Sequence, residues 1–231
     1  MSQQTAIVTG AGGAIASHVI AAFHQAGWKL ALVAFNDAER TRLVEAHPDA
    51  CVVQANLADD ADAQRAVGEM VEQCGKVDAL LNIAGGFDMS GAAETTPAQL
   101  DAQLDINLRT VFNATRAVLP HMLGNGGGFV LGVGAAAAID GGASMGAYAA
   151  SKAAMIAWLK SMHAELAPRG IEMGIVYPMA AVDTAGNRAA MPDADPSAWI
   201  DPAELGATML HLASRSARGR VREARVYPPV G

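Results

Sequence analysis

Short apolar runs that alternate with helix-length segments constrain what this chain can fold into more than any single residue does. Strand-like runs fall at Thr5 to Val8, Leu30 to Phe35, Cys51 to Gln54, Ala79 to Asn82, Phe129 to Val133 and Glu172 to Tyr177, with a last one near Val226. Between them Ala14 to Gln25, Ala38 to Ala46, Ala61 to Cys74, Pro97 to Met122 (broken into two) and Met145 to Ala167 carry helical patterns bounded by Gly, Pro or Asp, and Pro202 to Ala213 forms a last helix. Strands joined by helical crossovers lie parallel, and the right-handed crossover places helices on both faces of the sheet. The predicted fold is therefore α/β, a doubly wound parallel sheet. Residues 1–231 read as one domain, without repeat or linker, and the least regular stretch, about residues 178 to 200, reads as an inserted lid or binding loop.

Composition fits that reading. Hydrophobic residues make up 52% of the 231 and aromatics only 5%, with 24 glycines, so a large core must be built from small aliphatic side chains packed closely between layers. A net charge of −7, with no basic run interleaved with aromatics, argues against a nucleic-acid partner. The N-terminal residues lack a basic segment followed by an apolar one, and no window is apolar for the ~18 residues a membrane span needs, so the expectation is a cytoplasmic protein with no membrane partner. Cys51 and Cys74 stand apart from each other and from histidines in the sequence, which predicts buried packing residues rather than a metal or disulfide site.

Two local patterns carry chemistry. Tyr148 and Lys152 are spaced to share one helix face. A nearby ammonium favours the phenolate and makes a phenol a usable proton donor near neutral pH. Directly after the first strand, Thr9-Gly10-Ala11-Gly12-Gly13-Ala14-Ile15-Ala16 runs into a helix, where glycines let backbone N–H groups approach a pyrophosphate at the positive end of the helix dipole.

The loop Thr9-Gly10-x-x-x-Ala14-Ile15-Ala16, Asn82-x-Ala84-Gly85 after the fourth strand, Asn107 in a helix and Tyr148-x-x-x-Lys152 together resemble the short-chain dehydrogenase/reductase family, in its order and approximate spacing. The resemblance implies a Rossmann-like sheet of about seven strands, NAD or NADP as cofactor, and hydride transfer to or from a small-molecule substrate. It assigns Tyr148 as acid/base, Lys152 as its modulator and nicotinamide-ribose anchor, and Asn107 as support for a water relay. It also implies cofactor contacts from Thr9, Gly10, Gly12, Gly13, Ala14, Ile15, Asn82, Ala84, Gly85 and Pro178, and from Asn56 with Leu57 beside it, the Asn56 amide oxygen facing the adenine amino group. A homo-dimer or homo-tetramer built on the helices at 106–122 and 145–167 is implied as well.

The departures are as informative. The family has glycine where this chain has Ala14 and Ala16. The acidic residue that selects NAD at the end of the second strand is replaced by Ala34, followed by Phe35-Asn36-Asp37; Asn36 or Asp37 remain candidates for the ribose hydroxyls, and Arg40 or Arg42 for a 2′-phosphate. The serine expected thirteen residues before the tyrosine is Ala135. Three explanations follow: a substrate that needs no carbonyl-polarising hydroxyl, a different donor, or a dinucleotide-binding regulatory or scaffold protein without turnover. The stretch Asp183-Thr184-x-x-Asn187-Arg188-x-x-Met191-Pro192-Asp193-Ala194-Asp195-x-x-x-Trp199 resembles the quinonoid dihydropteridine reductase branch of the family, which also lacks the serine and keeps Tyr and Lys. Phe87, Ala135, Met179, Met191 and Trp199 are the expected lining of the substrate pocket, and no metal is expected.

Overall fold

The computed structural model describes residues 3–216 and 218–230. Among the described residues seven parallel strands form one sheet: β1 (Thr5–Thr9), β2 (Lys29–Ala34), β3 (Cys51–Gln54), β4 (Ala79–Asn82), β5 (Gly128–Val133), β6 (Ile171–Pro178) and β7 (Glu223–Val226). Their order in space is β3-β2-β1-β4-β5-β6-β7, so the winding reverses between β1 and β4. At such a reversal the connections leave in opposite directions and open a crevice beyond the strand ends.

Strand periodicity sorts the core. Ile7, Ala31, Val33, Leu80 and Val130 face one layer, which contains Met70, Val118 and Met155. Ala6, Val8, Leu30, Leu32, Leu81 and Leu131 face the other, with Ile20, Phe23 and Met209. The first layer belongs to α3 (Asp60–Cys74), α5 (Thr110–Gly124) and α7 (Gly146–Leu166); the second belongs to α1 (Ala14–Gln25), α2 (Asp37–Ala46) and α9 (Pro202–Ala213). Side chains that alternate on a pleated strand must serve both faces when helices cover both, which is why the strands read as continuous apolar runs.

Helix starts follow local chemistry. Asn36, Asp59 and Asp201 cap α2, α3 and α9, and Thr96 with Gln99 forms a reciprocal capping box at α4 (Pro97–Leu104). By contrast α1 begins at Gly13 with no side-chain cap, leaving its first N–H groups open to a ligand.

The helical stretch from Pro97 to Met122 is divided into two α-helices as expected, though by a π-helical turn and not by an interruption of the helix. A π-helical turn, Asp105–Arg109, carries α4 into α5, which runs through Pro120 to Gly124. The expected loop at 178–200 also holds a short helix, α8 (Ala185–Ala190), capped by Thr184, and a 3-10 turn at Pro196–Ala198. A further short helix, α6 (Ala137–Asp140), follows β5. Cys51 and Cys74 are half-buried rather than buried. Among the described residues no helix is long and apolar enough to cross a membrane.

Candidate active site

The turn after β1 is fixed by its first residue. Thr9 is buried, and its Oγ1 accepts from the backbone N–H of Ile83 and of Ala84, each at 3.1 Å, which pins the loop after β4 against the glycine loop. Gly10 has φ +59°, and a Cβ there would lie 2.7 Å from Ala84 Cα, so any side chain would be both strained and obstructed. The two loops meet over the ends of β1 and β4, where the sheet order reverses.

Beyond those ends lies a cleft of about 1050 Å³. Gly10, Gly13, Ala14 and Ile15 form its floor at the start of α1, Asn56 and Leu57 its wall after β3, and Ala84, Gly85 and Phe87 its wall after β4. Ala135, Tyr148, Lys152 and Pro178 complete the opposite end, with Met191 at the mouth.

Other expected contacts lie elsewhere. Thr9 acts through the loop it holds, Gly12 faces the Glu39 side chain, and Asn36 is spent as the α2 cap. Asn82 is buried behind the cleft, its amide nitrogen and oxygen both without a protein partner. Met179 packs into the core, and Trp199 is outside the cleft wall. The Asn56 amide oxygen accepts from the Ala58 N–H at 3.2 Å within its own loop.

At the chemical end, the Tyr148 ring meets Phe87 edge to face, with centroids 4.9 Å apart. Lys152 is 7% exposed, and its ammonium donates to the Val133 carbonyl oxygen at 2.9 Å. Burial pushes the Tyr148 phenol up to about 12 and the Lys152 ammonium down to about 8. The sequence suggests a phenol acidified by its neighbour; in the protein alone desolvation governs both groups, and each is driven toward its neutral form.

Asn107 sits inside the π-helical turn and is fully buried. Its amide nitrogen donates toward Gly86 O at 2.9 Å, Gln103 Oε1 at 3.1 Å and Ser151 Oγ at 3.1 Å, while its oxygen accepts from the Gly86 N–H at 3.1 Å. A Cβ built on Gly85 would lie 2.9 Å from Asn107 Oδ1 and 3.1 Å from Lys152 Nζ, so amide, ammonium and this glycine converge within one methyl's reach. The π turn supplies the convergence, since one extra residue in the turn rotates Asn107 inward without ending the helix. Ser151 joins the network from α7: its hydroxyl donates to Tyr148 O at 2.7 Å and ties the tyrosine's turn to Asn107. Sequence reasoning missed this role because Ser151 lies off the Tyr148/Lys152 face; its complete burial was the missing signal.

At the opposite end, Asn36 Oδ1 accepts from the Glu39 N–H, and Glu39 turns back so that its Oε2 accepts from the Phe35 N–H at 2.9 Å. Glu39 lines the cleft just past β2, whereas Arg40 and Arg42 do not.

A crevice at the winding reversal, an uncapped helix start facing it and a tyrosine–lysine pair at one end define a dinucleotide-binding oxidoreductase. The short chain dehydrogenase family model matches residues 4–195. The 2-(R)-hydroxypropyl-CoM dehydrogenase of Xanthobacter autotrophicus is 35% identical over 184 residues, covering 76% of this chain and 73% of that protein. Nodulation protein G of Azospirillum brasilense is 28% identical over 94% of this chain and 93% of its own. The structure of a 3-ketoacyl-(acyl-carrier-protein) reductase from Brucella melitensis complexed with NADH superposes with a TM-score of 0.84 at 26% identity, covering 97% of this chain and 96% of that one. The chain belongs to the short-chain dehydrogenase family and is a nicotinamide-dinucleotide-dependent oxidoreductase.

The residues present fit that cofactor. The cleft is large enough for an extended ligand, a Cβ at Gly10 would close its floor against Ala84, and the open N–H groups of α1 suit a pyrophosphate midway along it. Gly13, Ala14 and Ile15 would hold the phosphates, with Gly85 and Lys152 flanking the nicotinamide end.

Proposed function

We propose that this enzyme reduces a small, conjugated and already electrophilic acceptor, quinone-like or a quinonoid dihydropterin, using Tyr148 as the proton donor. The observation that carries the reading is Ala135. It lines the cleft with Tyr148 and presents a methyl group where the resemblance calls for a hydroxyl. Among the other lining hydroxyls, Thr110 donates to Ile106 O at 2.7 Å and Thr184 accepts from Asn187 N–H as a helix cap.

When bound, the reduced nicotinamide supplies a hydride. Tyr148 would then give its phenolic proton to the acceptor's heteroatom. Lys152 would hold the resulting phenolate by charge, and Asn107, locked by Ser151 and Gln103, would keep the ammonium's surroundings polar. Losing one oxyanion-type donor costs a carbonyl reduction about 3–4 kcal/mol. An acceptor that regains conjugation on reduction has less need of that donor. Phe87, Met89 and Met191, exposed at the mouth, suit a flat apolar body. Retention of the Tyr148, Lys152 and Asn107 group disfavours a scaffold without turnover.

The test is a panel of acceptors with NADH and NADPH. Quinones or quinonoid dihydropterin should be reduced at least ~100-fold faster than simple ketones, and Ala135→Ser should selectively raise the ketone rate. Equal rates for ketones in the unsubstituted enzyme would sink the proposal, and no oxidation of either dinucleotide would favour the scaffold. We also propose a homo-dimer or homo-tetramer in the cytoplasm, built on residues 106–122 and 145–167. Exposed Phe112, beside Trp158 with ring centroids 5.1 Å apart, supports such an interface.

A further inference from the structure

We infer that Glu39 is the residue that selects the dinucleotide, and that it selects NAD over NADP. The inference rests on the dinucleotide reading above and concerns the end of the cleft farthest from Tyr148. With a pyrophosphate at the start of α1 and the reactive ring beside Tyr148, the adenosine half must extend toward the ends of β2 and β3, where Val33, Phe35, Glu39, Asn56 and Leu57 line the wall. No carboxylate is encoded at the end of β2 itself, because Ala34 and Phe35 stand there. Glu39 supplies one from the first turn of α2.

Three contacts put it there. Asn36 caps α2 through the Glu39 N–H at 2.9 Å, fixing the backbone from which the side chain departs. Glu39 Oε2 accepts from the Phe35 N–H at 2.9 Å, so the carboxylate folds back over the strand end. Gly12 leaves room for it: a Cβ there would lie 2.5 Å from Glu39 Cδ and 2.7 Å from Oε2. One carboxylate oxygen is engaged by the backbone, and the group lines the cleft with acceptor capacity to spare.

A ribose diol donates two hydrogen bonds, which a carboxylate accepts well. A 2′-phosphate brings nearly two negative charges at neutral pH. The only cationic side chain lining the cleft among the described residues is Lys152, at the opposite end. A phosphate beside Glu39 would therefore meet a like charge without a lining partner, and such juxtapositions are penalised by several kcal/mol.

The test is direct binding of NADH and NADPH, followed by nicotinamide fluorescence and by thermal stabilisation, to the unsubstituted protein, Glu39→Gln and Glu39→Ala. Glutamine keeps an acceptor for the Phe35 N–H and removes the charge. The unsubstituted protein should bind NADH roughly 100-fold more tightly than NADPH. Glu39→Gln should reduce that ratio at least ~10-fold, chiefly by tightening NADPH, and Glu39→Ala should reduce it as well while weakening NADH. A ratio unmoved by both substitutions, or NADPH binding as tight as NADH before any substitution, overturns the assignment. Failure of both dinucleotides to bind a protein that melts cooperatively overturns the dinucleotide reading itself, and the assignment with it.

Discussion

The two ends of the cleft are built on opposite plans. At the chemical end, Lys152 and Asn107 are buried, and Asn107 donates both to Gln103 one turn back and to Ser151 across the helix interface, tying the π turn to α7. At the adenosine end, Glu39 is half-exposed and held through a backbone N–H of its own neighbourhood and a helix cap. Buried networks are costly to leave half-satisfied, so their members are fixed together. A flexible carboxylate at a rim is cheap to replace. On the roles proposed for them, chemistry is set by residues of the fold's interior, and cofactor choice by one side chain at its edge.

The largest expected effect lies at the buried end. Tyr148→Phe removes only an oxygen from a ring already packed against Phe87, so the fold and dinucleotide affinity should stay within ~3-fold while turnover falls roughly 100- to 10,000-fold. Rates and binding measured on the same preparation check this. Turnover within tenfold of the unsubstituted enzyme would show that another group donates the proton.

Lys152 gives the next largest effect, of the opposite sign for stability. Its folded pKa is lowered from 10.5 to about 8 by burial. Between those values the unfolded chain binds the proton and the folded chain does not, so stability of the cofactor-free protein should rise as pH goes from 8 toward 10. Above pH 10 the raised Tyr148 phenol works the other way, because the unfolded tyrosine ionises first and stability falls with pH. Below pH 8 the full cost of the buried charge is present. Lys152→Met should therefore stabilise the cofactor-free protein at pH 7 by about 1–3 kcal/mol, net of the lost bond to Val133, and flatten the rise between pH 8 and 10. Denaturant melts at pH 7, 8, 9 and 10 decide it. An unaltered slope would mean that Lys152 is hydrated in solution.

This contrast also explains what the sequence could show. The alternation of strands and helices placed the first six strands to within a residue because parallel strands buried on both faces carry an uninterrupted apolar signal, whereas the half-exposed β7 was legible only as a run near Val226. The placement of Tyr148 and Lys152 along one cleft, with Asn107 close to the lysine, was legible because a fixed helix spacing brings the first two together and the family pattern brings the third. The π turn was not, since Asp105 to Arg109 differ from an ordinary helix only in how many residues the turn takes. Met179 and Trp199 looked like pocket residues by apolarity, and an apolar side chain next to a cleft can as well face the core, as Met179 does. Glu39 was hidden for a different reason. Its position depends on a rotamer folding back across a helix cap, and no spacing rule anticipates that the acid missing from the strand end returns from the following helix.

Gly12 gives the smallest effect and the sharpest test of the edge's independence. A methyl group at this position meets the Glu39 side chain from Cγ outward, a flexible group on an exposed helix that can swing away, so Gly12→Ala should change the melting temperature by no more than about 2 °C. The displaced carboxylate would leave the Phe35 N–H and the cleft wall together. The NADH-to-NADPH affinity ratio should then move in the same direction as in Glu39→Gln, and by less, because the charge remains nearby. Combining the two substitutions separates steric from direct effects. If Gly12 acts through Glu39, the double variant should match Glu39→Gln alone, a coupling that independent sites do not show. Additive shifts would mean that the loop itself reads the adenosine, and that the edge is no less tied to the fold than the buried end.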